Sequence, residues 1–191
     1  MASASTARAA LLRGAGLAFE TRPSDVDEGE LKASMKAEGA EAATRALAEL
    51  KARHVAKQAP GYLVIGADQL LECHGDWLDK AGDRSEAGKQ LRLLRGQDHR
   101  LATAVCVMLD ETCLWRFAGA PRLRMRNFSD EFIESYLQAA GDEALGCVGA
   151  YRLEGLGAQL FEEIEGDYFT ILGLPLLPLL GFLRSRGIVA S

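Results

Sequence analysis

Apolar and polar positions follow two periods along this chain. Leu63-Val64-Ile65-Gly66-Ala67-Asp68-Gln69-Leu70-Leu71 is an apolar run interrupted only by a glycine and an Asp-Gln pair. A run without strict alternation reads as a strand covered on both faces, as in α/β proteins. Asp68 and Gln69 then fall near the end of a buried strand, where open α/β sheets place their ligand crevices. Ahead of it, Glu38 to Ala56 is rich in Ala, Glu, Leu and Lys, with Ala43, Leu47, Leu50 and His54 at helical spacing. Pro60 and Gly61 stop that helix. Lys51 stands off this stripe, so composition alone reads it as solvated.

Arg84 to Leu94 predicts another helix, with Ala87, Leu91 and Leu94 inward and Gly96 ending it. Arg100 to Leu109 and Cys113 to Met125 predict two strands around a turn at Asp110-Glu111. Ser129 caps a further helix whose buried face is Phe132, Ile133, Tyr136, Leu137 and Ala140. Glycines crowd the stretch from Gly141 to Gly173 and permit tight turns and close backbone approach. Leu176 to Arg184 is apolar almost all round, so it is expected to be buried or to cover a partner surface.

Composition bounds the function. Hydrophobic residues make up 48% and charged residues 26%, ordinary for a globular protein. The net charge of −5 argues against a binder of nucleic-acid polymers, which would be basic. No two of Cys73, Cys106, Cys113 and Cys147 are spaced C-x-x-C, and reduced thiols in a cytoplasm are expected. Phe169 to Leu183 is interrupted by Gly173, Pro175, Pro178 and Gly181, which makes it a poor membrane span.

Several positions carry two readings. Ser5 precedes Arg8 to Arg13 as a helix cap, yet a helix N-terminus with Arg8 one turn in would also hold a phosphate. Asp25-Val26-Asp27-Glu28 is a solvated turn or a set of oxygen ligands for a hard cation. Lys80 follows a turn at Gly75-Asp76, and a lysine beside the Asp68 carboxylate would suit metal and phosphate chemistry.

In this order, Ser3-Ala4-Ser5, Arg8, Leu11-Leu12, Asp25 to Glu28, Leu47, Lys51-Ala52, Gly66-Ala67-Asp68-Gln69, Asp79-Lys80, Gly149-Ala150-Tyr151, Glu165 to Tyr168 and Gly173 to Leu176 resemble the Maf family. These are nucleoside triphosphate pyrophosphatases, once named as septum-formation inhibitors. The resemblance implies a single domain over 1–191 with an α/β fold like that of inosine triphosphatase. It would have an elongated mixed sheet flanked by helices and a cleft between two lobes. It also implies a cytoplasmic house-cleaning hydrolase that splits a nucleoside triphosphate into monophosphate and diphosphate with Mg²⁺, or with Mn²⁺ or Co²⁺. By the same analogy Asp68 is the general base or holder of the attacking water, and Glu28 and Asp68 bind the metal. Lys51, Lys80 and Arg8 pair with phosphate oxygens, Ser5 donates a hydrogen bond, and Arg13 is a further candidate deeper in the helix. A homodimer is the family-level expectation, in keeping with the apolar C-terminal helix.

Base selection in the family rests on three positions, here Ala7, Gln69 and Glu154. Gln69 and Glu154 agree with the subgroup acting on 7-methylguanosine triphosphate, whose cationic base and N–H donors suit a carboxylate. Ala7 lacks that subgroup's aromatic ring. The alternatives are a thymidine/uridine triphosphate pyrophosphatase of the same family, or a non-catalytic nucleotide-binding regulator of cell division. Thr6, Ala9 and Ala81 depart from the usual residues. Only Met1 and Ala2 stand where the family has an apolar strand before the first serine, which is expected to loosen the helix carrying Ser5 and Arg8.

Overall fold

The elements are fixed by short local signals that repeat along the chain. In the computed structural model, which describes residues 1–190, Ser5, Asp27, Asp83, Ser129 and Asp167 each accept a backbone N–H at a helix start. The elements run α1 (Thr6–Gly14), α2 (Glu28–Ser34), α3 (Ala40–Ala56), β1 (Leu63–Cys73) and β2 (Asp76–Leu78). Next come α4 (Arg84–Leu94), β3 (Asp98–Leu109), β4 (Thr112–Gly119), β5 (Arg122–Met125) and α5 (Asp130–Ala140). The chain ends with β6 (Phe161–Glu165), α6 (Tyr168–Ile171) and α7 (Leu176–Ser185). This is an α/β protein.

The strands form one sheet in the order β2-β1-β3-β5-β6, with β4 also paired to β3. The β1–β2, β3–β4, β3–β5 and β5–β6 pairs are antiparallel, and Ala2, outside the strands, forms an isolated parallel bridge with Gly66. The chain divides into two compact units. One is Met1–Gln69, Ala102–Ala120 and Asp167–Ser191; the other is Leu70–Leu101 and Pro121–Gly166.

In the first unit, β1 buries both faces. Val64 packs with Ala52, Val55, Cys106 and Met108, while Ile65 and Ala67 join Leu12, Val105, Leu174, Leu179 and Leu183. Helix α3 lies directly on β1 at Gly66, where an added Cβ would run into the Ala48 carbonyl and sit 2.6 Å from Ala52 Cβ. The start of the chain is tied into this unit. Ala2 N–H donates to Ile65 O at 2.8 Å, Arg22 N–H donates to Met1 O, and Leu12 is fully buried. Helix α7 buries Leu176, Leu179, Phe182 and Leu183 but leaves the apolar Leu177 exposed, so it is buried on one side only.

In the second unit the core gathers Leu91 and Leu94 of α4, Ile133 and Leu137 of α5, and Leu123 and Met125 of β5. Two expectations need correction. The predicted strand from Cys113 to Met125 is two strands, because Pro121 has no N–H for a ladder. Asp68 lies in the middle of β1, not near its end, because Leu70, Leu71 and Cys73 extend the buried run. It is nevertheless, with Gln69, among the last β1 residues belonging to the first unit.

Candidate functional site

Asp68 points from β1 toward α3, two residues beyond Gly66 on the same face. Lys51 meets it from the helix. Leu47, Lys51 and Val55 are spaced by four, so the lysine lies on the buried face of α3 rather than in solvent. Its Nζ donates to Asp68 Oδ1 at 2.5 Å and lies 2.8 Å from Glu28 Oε1. Glu28 opens α2 immediately after its cap, Asp27, whose carboxylate accepts the Gly29 N–H. Within the acidic turn Asp27 caps α2 and Glu28 reaches Lys51.

Arg8 joins from α1 and is itself buried. Its Nε donates to Gly173 O at 2.8 Å, and its Nη1 donates to Ala67 O at 2.9 Å and to Ser3 Oγ. Burial lowers the Arg8 pKa, while the Asp68 and Glu28 charges raise it. Burial likewise pushes the Asp68 carboxyl above its ordinary range, while Lys51 and Arg8 draw it back. Asp68 Oδ2 is buried without a hydrogen-bond partner. That orphaned oxygen, beside a second carboxylate, fits a hard cation of the Mg²⁺ type, which takes one or two carboxylates and completes its shell with water and phosphate. No group of three or more His, Cys, Asp or Glu side chains forms a ready metal cage among the described residues.

The remaining first-unit candidates lie apart from this cluster or serve the fold. Ser5 accepts the Arg8 N–H as the N-cap of α1. Ala7 is in the first turn of that helix, half-buried. Arg13 is exposed in the last turn, its guanidinium 5.4 Å from the centre of the Phe19 ring. Gln69, next to Asp68 in a strand, faces the other way. Its amide nitrogen donates to Thr103 Oγ1, Thr170 O and Ile171 O. The tie to Thr103 and Thr170 was missed at the sequence level, although strand alternation alone separates Gln69 from Asp68.

The second unit holds Lys80 and Glu154. Lys80 is exposed and pairs through its backbone with Val148, next to the Gly149-Ala150 corner. That corner has positive φ at both residues, 75° and 57°, and Tyr136 Oη donates to Ala150 O to hold it. Tyr151 is buried against Phe161 and bonds His99 Nε2 at 2.8 Å. Burial pushes the His99 pKa down to about 4. Beyond the corner, Arg152 bridges Glu143 and Glu154, its Nε 3.1 Å from Glu154 Oε1. Tyr136, Glu143, Arg152, Glu154 and Leu156 line a hollow of about 280 Å³.

A buried carboxylate with a raised pKa, a second carboxylate and two buried cations form a site able to hold a polyanion and a hard cation and to take up a proton. The chain belongs to the Maf family, matching the Maf-like protein family over residues 1–186. It is 52% identical over 188 residues to a protein of Granulibacter bethesdensis, covering 97% of this chain and 95% of that protein. It is also 52% identical over 189 residues to one of Paramagnetospirillum magneticum, covering 98% and 97%. A Rhodospirillum rubrum protein is 49% identical over 193 residues, covering 100% and 96%. All three relatives are named nucleoside triphosphate pyrophosphatase.

Proposed function

We propose that this chain is a nucleoside triphosphate pyrophosphatase, hydrolysing its substrate to the monophosphate and diphosphate. The observation that carries the reading is the Asp68–Lys51–Glu28 cluster, three separate segments meeting around one unpartnered carboxylate oxygen. Asp68 takes the proton of the attacking water, a role that burial favours by raising its pKa toward the working range. Glu28 and Asp68 would hold a divalent cation, Mg²⁺ with Mn²⁺ or Co²⁺ as substitutes. Once bound, such an ion supplies charge neutralisation on the phosphate oxygens. Lys51 pairs with the phosphates, and Arg8 fixes the Ala67 and Gly173 carbonyls beside Asp68. The four cysteines are free thiols, in keeping with a cytoplasmic setting; among the described residues no helix is long and apolar enough to cross a membrane.

The finer reading is a 7-methylguanosine triphosphate substrate, with Glu154 accepting the base's N–H donors. A thymidine or uridine triphosphate is the second reading. It is favoured by Arg152, which already neutralises Glu154, and by Gln69, whose amide nitrogen is already bonded to Thr103, Thr170 and Ile171. Pyrophosphate release with Mg²⁺ from 7-methylguanosine, guanosine, uridine and thymidine triphosphates separates them. Preference for the methylated base is expected. Preference for uridine or thymidine keeps the enzyme and discards Glu154 as reader, and no release from any of them overturns the activity.

A further inference from the structure

Lys51 occupies the place between two carboxylates that a metal ion would need. Its ammonium lies 2.5 Å from Asp68 Oδ1 and 2.8 Å from Glu28 Oε1, on a side chain only 10% exposed. Glu28 Oε2 faces Lys32 at 3.7 Å. Arg8 adds a buried guanidinium that interacts electrostatically with both acids. The two carboxylates thus already stand among three cations. A free divalent ion would enter against that surplus in a site poorly screened by water.

A polyphosphate changes the balance. Its oxygens accept from an ammonium at least as well as carboxylates do, and they bring the negative charge that the ion lacks. Lys51 has a flexible four-carbon stem, while its helix is anchored by the buried Leu47, Ala48, Ala52 and Val55. The ammonium can therefore move without the backbone. Resting on the reading that Glu28 and Asp68 are the ion's ligands, we propose that Lys51 is a built-in competitor of the divalent cation. It leaves the carboxylates only when a polyphosphate takes its ammonium. The ion enters together with the nucleotide and not before it.

Binding of Mn²⁺ alone to the full chain, followed by electron paramagnetic resonance, tests this directly. Wild type is expected to bind the free ion weakly. Lys51→Met keeps the stem, removes the charge, and should bind it about tenfold more tightly or better. Adding Glu28→Gln to Lys51→Met should remove the gain. No tightening in Lys51→Met overturns the proposal. If wild type then binds Mn²⁺ and Glu28→Gln abolishes it, the ligand assignment survives while the competitor role does not. A second measurement depends on no folded variant: the ¹⁵N signal of the Lys51 ammonium in the wild-type chain. It should stay in place with Mg²⁺ alone and shift when Mg²⁺ and inorganic triphosphate are added together. A shift with Mg²⁺ alone, or none with the two together, overturns the proposal.

Discussion

In the proposed reaction Asp68 takes up a proton, and its buried position on β1 bears directly on that role. Desolvation raises its pKa, so the free enzyme loses the deprotonated base at a pH above the ordinary carboxylate value of about 4. The sign follows directly: kcat/KM should fall as pH drops through the raised pKa, since only the ionised form accepts a proton. Asp68→Asn keeps the volume and an oxygen for Lys51 but removes the base. Turnover should drop by about 10²- to 10⁴-fold, with an unchanged far-UV circular dichroism spectrum and no acid limb in what remains. Full activity in Asp68→Asn would assign the base elsewhere. At this scale, residue identity was legible and direction less so. Lys51 reads as solvated by charge, yet its spacing of four from Leu47 and Val55 puts it on the packed face of α3. A lysine held by two carboxylates escapes the rule that charge faces water, and no pattern of apolar residues announces such partners.

Between elements, the contact that sets the site is α3 on β1. Gly66 lets the helix backbone sit against the strand, and the same two elements carry Lys51 and Asp68. Gly66→Ala forces α3 outward, so it should cost about 1–3 kcal/mol of stability, the range for overpacking a well-filled core. It should also lower kcat by widening the Lys51–Asp68 pair. Urea unfolding and turnover, measured on the same preparation, check both; a stable variant of unchanged kcat would mean that the contact relaxes at no expense. The long helices α3, α4 and α5 were legible because periodic burial repeats along them, and β3 because its buried run is nearly continuous. Helix α2 was not, since it buries no residue and rests on the Asp27 cap and its packing beside α3. Strand β6 was hidden for a related reason. Phe161-Glu162-Glu163-Ile164-Glu165 has little apolar signal, and it pairs with β5 through charges such as Arg122 with Glu165 at 3.2 Å.

For the molecule as a whole, the chain path decides how it should unfold. The first unit is assembled from three segments and the second from two, and the division cuts both β1 and β3. Leu63 to Gln69 serve one unit and Leu70 to Cys73 the other; β3 is divided in the same way after Leu101. Neither unit can lose these strands without drawing on the hydrogen-bonded ladder of the other, so a single cooperative transition is expected, with calorimetric and van't Hoff enthalpies in agreement. Ligand linkage sharpens the test. Mg²⁺ and a triphosphate analogue that cannot be hydrolysed, together at about a hundredfold excess over Kd, should add about 2.7 kcal/mol. For a chain of this size that raises Tm by roughly 5–11 °C, at about 2–4 °C per kcal/mol. The whole transition should move as one. If the ligand instead split the melt, raising one part while the other stayed behind, the units would be separate folding domains and the strand continuity would carry no cooperativity. Mg²⁺ alone should move Tm far less than the pair, because Lys51 already supplies the carboxylates with a cation.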